Sequence, residues 1–109
     1  MSKYGAKKTE IDGIRFDSKR EAAYYSELKL LKMAGELDFE LQPKFTLIEG
    51  FEKNGKKYRP THYIADFLIT YRDGRKVVVD VKGFKTKDFK IKAKLFNMKY
   101  PELELKLVK

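Results

Sequence analysis

Asp80 and Lys82 stand two residues apart in the run Val77 to Gly83, V-V-V-D-V-K-G, and Asp66 stands in a second apolar run, H-Y-I-A-D-F-L-I-T-Y. Side chains alternate across a β-strand, so Asp80 and Lys82 share a face, about 7 Å apart along the chain. A carboxylate buried without a partner costs several kcal/mol, so Asp80 requires Lys82, a metal ion, or water at an open sheet end. Asp66, flanked by Ile64, Ala65, Phe67, Leu68 and Ile69, makes the same demand. Two carboxylates on adjacent strands repel unless a cation lies between them. A divalent ion held by oxygen ligands is the economical answer. A pair of strand-end carboxylates met by Lys82, Arg59 or another local cation is the structural alternative.

The elements that must position these residues are legible around them. Three consecutive valines, with a fourth after the aspartate, suit a central strand covered on both faces and ended by Gly83. His62 to Tyr71 reads as its antiparallel neighbour, joined through Arg72-Asp73-Gly74-Arg75 to the strand from Lys76 to Lys82. Asp66 and Asp80 each lie seven residues from Asp73, so both fall at the same end of this hairpin. Ser18-Lys19-Arg20-Glu21 has the spacing of a capping box and predicts a helix from Ser18 to about Ala34, closed by Gly35. Its expected apolar stripe is Tyr24, Tyr25, Leu28 and Leu31. Glu21 precedes the two tyrosines by three and four residues, so its carboxylate either looks inward over the sheet or turns back to cap the helix.

Before that helix, Met1 to Ala6 reads as a loose leader. Thr9 to Ile11 and Ile14 to Phe16 form a short hairpin about Asp12-Gly13, expected at a sheet edge. After the helix, Phe39 to Gln42 and Phe45 to Ile48 are extended pieces divided by Pro43, which implies an edge or a bulge. Residues 49–62 are polar and basic around Asn54-Gly55, an exposed loop or projecting hairpin that could contact DNA. A second helix is expected from about Asp88 to Lys99, stopped before Pro101. It has one stripe of Phe89, Ala93, Phe96 and Tyr100 and another of Ile91, Leu95 and Met98, with lysines on the flanks. Two apolar faces imply cover on two sides, by the first helix or by a second copy of the chain. A last strand, Leu103 to Val108, should lie parallel to Val77 to Val81 through a right-handed crossover. The fold class is therefore mixed α/β (α+β), one domain over residues 1–109 with core order αβββαβ.

Composition limits the partners. The 109 residues allow one modest core, and seven Tyr with eight Phe are enough to fill it. The absence of cysteine excludes disulfides and thiolate zinc sites and suits a reducing cytoplasm. No apolar run approaches the length of a membrane span, and Met1 to Lys8 lacks the apolar core of a signal peptide. A net charge of +9, from 25 Lys and Arg against 16 Asp and Glu, points to a polyanionic partner, with nucleic acid the first candidate. His62, with no second histidine in the chain, does not suggest a histidine-metal nuclease and is read as surface or DNA-contacting.

The order helix glutamate, strand aspartate, then D-x-K on the next strand resembles the PD-(D/E)xK nuclease superfamily with its restriction-endonuclease-like fold. F-D-S-K-R-E-A, Y-I-A-D-F and D-V-K-G-F-K-T, followed by a lysine-rich helix, are similar to small phage and prophage proteins grouped with Holliday-junction resolvases and related endonucleases. The resemblance covers nearly the whole chain. Two departures stand out: Ala65, not proline, precedes Asp66, the nearest proline being Pro60, and Asp80 replaces the commoner glutamate. The resemblance implies Asp66 and Asp80 as metal-binding carboxylates, Glu21 as a helper that binds or orients the metal or its water, and Lys82 as the residue that orients water or stabilises charge on the phosphate. It implies Mg²⁺, with Mn²⁺ able to substitute, and a cytoplasmic homodimer cutting branched DNA. Arg59, Lys85, Lys87, Lys90 and Lys94 are the expected phosphate contacts. A nucleic-acid-binding module that does not cut, and a phage assembly adaptor, are the alternatives from other classes.

Overall fold

The computed structural model is described over residues 8–81 and 85–109; the Met1 to Ala6 leader, Lys82 and Gly83 lie outside the described residues. Asp12 (φ +56°) and Gly13 (φ +78°) form the left-handed turn expected of Asp-Gly, joining β1 (Thr9–Ile11) to β2 (Ile14–Phe16). This hairpin is a separate two-stranded sheet and not an edge of the main one. Asp12 accepts hydrogen bonds from Lys29 Nζ and, at 2.9 Å, from Tyr25 Oη. The Lys29 ammonium holds the Asp12 carboxyl below the usual carboxylate range. The hairpin is thereby fastened to the helix that follows it.

That helix, α1 (Lys19–Met33), begins where the capping box predicts: Ser18 Oγ accepts the Glu21 N–H at 3.0 Å. Its buried line is Glu21, Ala22, Tyr25 and Leu28, with Tyr24 half-buried. Leu31, expected on the stripe, is exposed. The next position on the buried line is Lys32, whose ammonium lies 5.7 Å from the Phe39 ring centre and 3.0 Å from Asp38. Lys32 is exposed as well, so the last turn of α1 is held at its surface by these two contacts and buries no leucine.

The chain continues as β3 (Leu37–Leu41), β4 (Lys44–Ile48), β5 (Phe51–Lys53), β6 (Lys56–Tyr58), β7 (Thr61–Ile64), β8 (Phe67–Tyr71) and β9 (Lys76–Val81), then α2 (Lys87–Lys99) and β10 (Glu104–Val108). The main sheet has the order β10-β9-β8-β3, with β10 parallel to β9 and the other pairs antiparallel. Around it the sequence α1-β3-β8-β9-α2-β10 gives the αβββαβ core order of a mixed α+β fold. The run His62 to Tyr71, expected as one strand, is two. Pro43 has no N–H to give the ladder and Gln42 takes a left-handed conformation (φ +51°), so the opposing strand bends there. Pairing survives the bend: Gln42 N–H donates to Asp66 O at 2.9 Å and Ala65 N–H to Pro43 O at 3.1 Å. The segments β3-β4-β5 and β6-β7-β8 are thus the two sides of one bent ribbon, closed at its tip by Asn54 (φ +52°) and Gly55 (φ +77°).

The helices cover opposite faces of the sheet. Phe67, Ile69, Val77 and Val79 pack with Tyr25 and Leu28 of α1, while Val78 packs with Phe89 and Phe96 of α2. Ile91 and Met98 of α2 are 61% and 73% exposed, so α1 does not cover the second stripe. Lys87 and Lys94 fall on that same outward face, roughly 180° from Phe96 at about 100° per residue, instead of on the flanks. Among the described residues no helix is long and apolar enough to cross a membrane.

Candidate carboxylate site at the end of the central sheet

The bend in the ribbon builds the site. Asp66 sits in it, one residue before β8, with its N–H donating to Val79 O at 3.1 Å and its Oδ2 accepting the Val81 N–H at 2.7 Å. Both bonds tie it to the last turns of β9, where Asp80 is only 1% exposed. The two aspartates, expected at one end of the hairpin, meet there, near enough for a hydrogen bond between their carboxyls whenever one is protonated. Burial pushes the Asp66 carboxyl up to about 8; the bond to Asp80 and the negative charges of Asp80 and Glu21 push the same way, against the Val81 N–H. Glu21, itself buried, approaches from α1 closely enough for its charge to be felt.

Tyr63 is the member of this cluster that sequence reasoning missed. Its Oη donates to Asp80 Oδ2 in the interior. Burial, then that bond and the two aspartates, hold the phenol well above its usual range, so it is a donor at any ordinary pH. The reason it was missed is the bend. Tyr63, Ala65, Phe67 and Ile69 are two apart and would share one face of a regular strand. Instead Tyr63 and Ala65 pack on the α2 side and Phe67 and Ile69 on the α1 side. The signal that could have found it is a hydroxyl-bearing ring inside an apolar run, which needs a partner when buried.

The other expected residues are dispersed. Lys82 lies outside the described residues. Arg59 is exposed in the segment between β6 and β7; Lys85, Lys87, Lys90 and Lys94 are exposed at the start and along α2. His62 is half-buried, with Nδ1 3.2 Å from Thr46 Oγ1 across the β4–β7 pair. A cavity of about 260 Å³ lined by His62, Tyr63, Thr86, Asp88, Phe89 and Lys92 opens beside Tyr63.

Two adjoining carboxylates, one of them reluctant to ionise, are hard oxygen donors that suit Mg²⁺ or Mn²⁺. Among the described residues, however, no three His, Cys, Asp or Glu side chains already stand as a ligand set. A cation at Asp66 would have to displace the proton that its raised pKa favours.

Fold and site together define an α+β protein with a carboxylate pair, Asp80 buried and Asp66 half-buried, at the end of its central strands. The chain belongs to the family described as a protein of unknown function (DUF1064), whose profile matches residues 1–109. A comparison with curated proteins finds no match.

Proposed function

We propose that this chain is a divalent-metal-dependent endodeoxyribonuclease that hydrolyses phosphodiester bonds in branched DNA, of the Holliday-junction type. The observation that carries the reading is the contact of Asp66 with Asp80, a pair whose mutual repulsion and burial a divalent cation would relieve. Asp66 and Asp80 would hold Mg²⁺ or Mn²⁺, which when bound polarises a phosphoryl oxygen and lowers the pKa of water. In this reading the Val81 N–H fixes Asp66 and Tyr63 fixes Asp80, so that both carboxylates are oriented before substrate arrives. Glu21 supplies a third negative charge from α1. Lys82, two residues after Asp80, is the proposed fixed positive charge for the scissile phosphate. Lys85 and Lys90, which lie off the outward face of α2, contact phosphates further along the DNA. A homodimer formed through the outward face of α2 would bring two sites to two strands, in the cytoplasm of a bacterial or phage-infected cell.

The absence of a ready three-carboxylate set among the described residues favours a second reading, a nucleic-acid-binding module that does not cut. One experiment separates them: a labelled four-way junction, a matched duplex and a single strand, each with Mg²⁺ or EDTA, beside the Asp80→Asn variant. Metal-dependent cutting of the junction that the variant loses supports the resolvase reading. Equal cutting of the duplex keeps the nuclease and removes the junction preference. Binding without cutting under any divalent metal leaves the module as the function.

A further inference from the structure

The tip of the ribbon carries chemistry that the carboxylate site does not use. Every residue from Glu49 to Pro60 is exposed, and β5 and β6 form their own two-stranded sheet beyond the body of the protein. Phe51 and Tyr58 are directly paired across it, and their rings are stacked at 4.7 Å between centroids with only 11° between planes, yet they are 52% and 40% exposed. Lys53 pairs with Lys56 on the same face, two residues further toward the tip on each strand, and Lys56 Nζ lies 5.1 Å from the Tyr58 ring centre. Glu52 and Lys57 fall on the other face. One side of the arm therefore presents two flat rings and two cations, with no carboxylate.

An isolated two-stranded hairpin is marginal in water; the stacked pair helps to hold it, yet about half of each ring is left open to solvent on a face that packs on nothing else in the described chain. We propose that this face of the arm is a binding surface for unpaired nucleotides, with bases stacking on the Phe51–Tyr58 pair and phosphates met by Lys53 and Lys56. Aromatic rings accept any base because every base has a π-face, and neighbouring cations follow the backbone. An acidic protein could satisfy the lysines, but it brings no row of flat π-faces to match the stacked rings as successive bases do. The proposal deepens the nuclease reading by naming unpaired bases, such as those at a branch point, as what the arm recognises. It rests on that reading only for the choice of DNA among polyanions.

The chain has no tryptophan, so a Tyr58→Trp variant of the full protein carries its sole indole on the arm. Titrated in EDTA with single-stranded DNA, blunt duplex and poly-glutamate, its fluorescence should be quenched by the single strand at lower concentration than by the duplex, and not by poly-glutamate. Phe51→Val with Tyr58→Val, which keeps strand-forming residues, should weaken single-strand binding measured by anisotropy about 5- to 150-fold, the range expected for loss of base stacking. Unquenched indole fluorescence while anisotropy reports binding, unchanged affinity in the valine variant, equal binding of poly-glutamate, or no binding of any DNA each overturns the proposal. The assay needs no metal and no cleavage, so a failed catalytic assignment and a failed arm give different results.

Discussion

The phenol of Tyr63 on β7 donates to Oδ2 of Asp80 on β9, seventeen residues further along the chain, although these two strands are not paired. The bond reaches across the place where the ribbon bends and joins the outer segment of the ribbon to the central strand.

Replacing Tyr63 with Phe keeps the ring and removes only this donor. A buried carboxylate that loses a hydrogen bond destabilises the fold by about 1–3 kcal/mol. Thermal melting without metal should show that loss. Titration with Mn²⁺ should show weaker binding if Tyr63 positions Asp80, whereas a purely structural role lowers the melting temperature and leaves the affinity unchanged.

Asp66 sets a pH dependence. Its carboxyl titrates at about 8 in the fold against an ordinary value of 3.8. Between these values the folded state binds the extra proton, so the contribution of Asp66 to stability without metal is full below about pH 4 and is lost as pH rises through 8. Chemical denaturation at pH 5, 6.5 and 8 should show this slope, and Asp66→Asn should flatten it.

A cation bound as proposed would displace the proton that Asp66 holds below about pH 8. Stabilisation by Mg²⁺ or Mn²⁺ is therefore expected to grow from pH 6 to pH 8 in calorimetric melts, and to vanish in both Asp66→Asn and Asp80→Asn. Stabilisation that is independent of pH, or that survives in either variant, would place the ion elsewhere.

The outward face of α2 makes a separate prediction. Ile91→Gln with Met98→Gln replaces exposed apolar groups, and its effect on monomer stability should stay within about 0.5 kcal/mol. In sedimentation velocity a wild-type dimer built on this face becomes a monomer in the variant; a dimer that persists uses another surface.

Ser18 has the most local consequence. Its Oγ caps the Glu21 N–H, so Ser18→Ala should cost about 1 kcal/mol in a denaturant melt and loosen the turn that holds Glu21.

Local chemistry made much of the fold readable. The Asp12-Gly13 turn, the Ser18 cap, the valine strand and the parallel last strand each follow from side chains within a few residues of one another. So did the meeting of Asp66 with Asp80, because the short Asp73-Gly74 connection fixes register by counting. What escaped was set by residues distant in sequence. The break at Ala65 answers a bend at Gln42-Pro43 on the opposite side of the ribbon, and with it went the direction of the Tyr63 side chain. Leu31 is exposed and the position in line with Tyr25 and Leu28 is Lys32, whose partners Asp38 and Phe39 lie on β3, where no pattern within α1 points. The outward turn of Ile91 depends on the helices taking opposite sides of the sheet, which no pattern within α2 reveals.

The bent ribbon also acts as a ruler. Tyr58 near its tip and Asp66 at its elbow belong to one continuous side, eight residues apart, so at most about 26 Å of extended chain separates them. That span equals about seven to eight nucleotides of one strand at the 3.4 Å spacing of duplex DNA. A strand that met both places would therefore be measured off by residues 59–65, so the length of β7, more than the chemistry at either end, would set how far from a base stacked on Tyr58 the carboxylates fall.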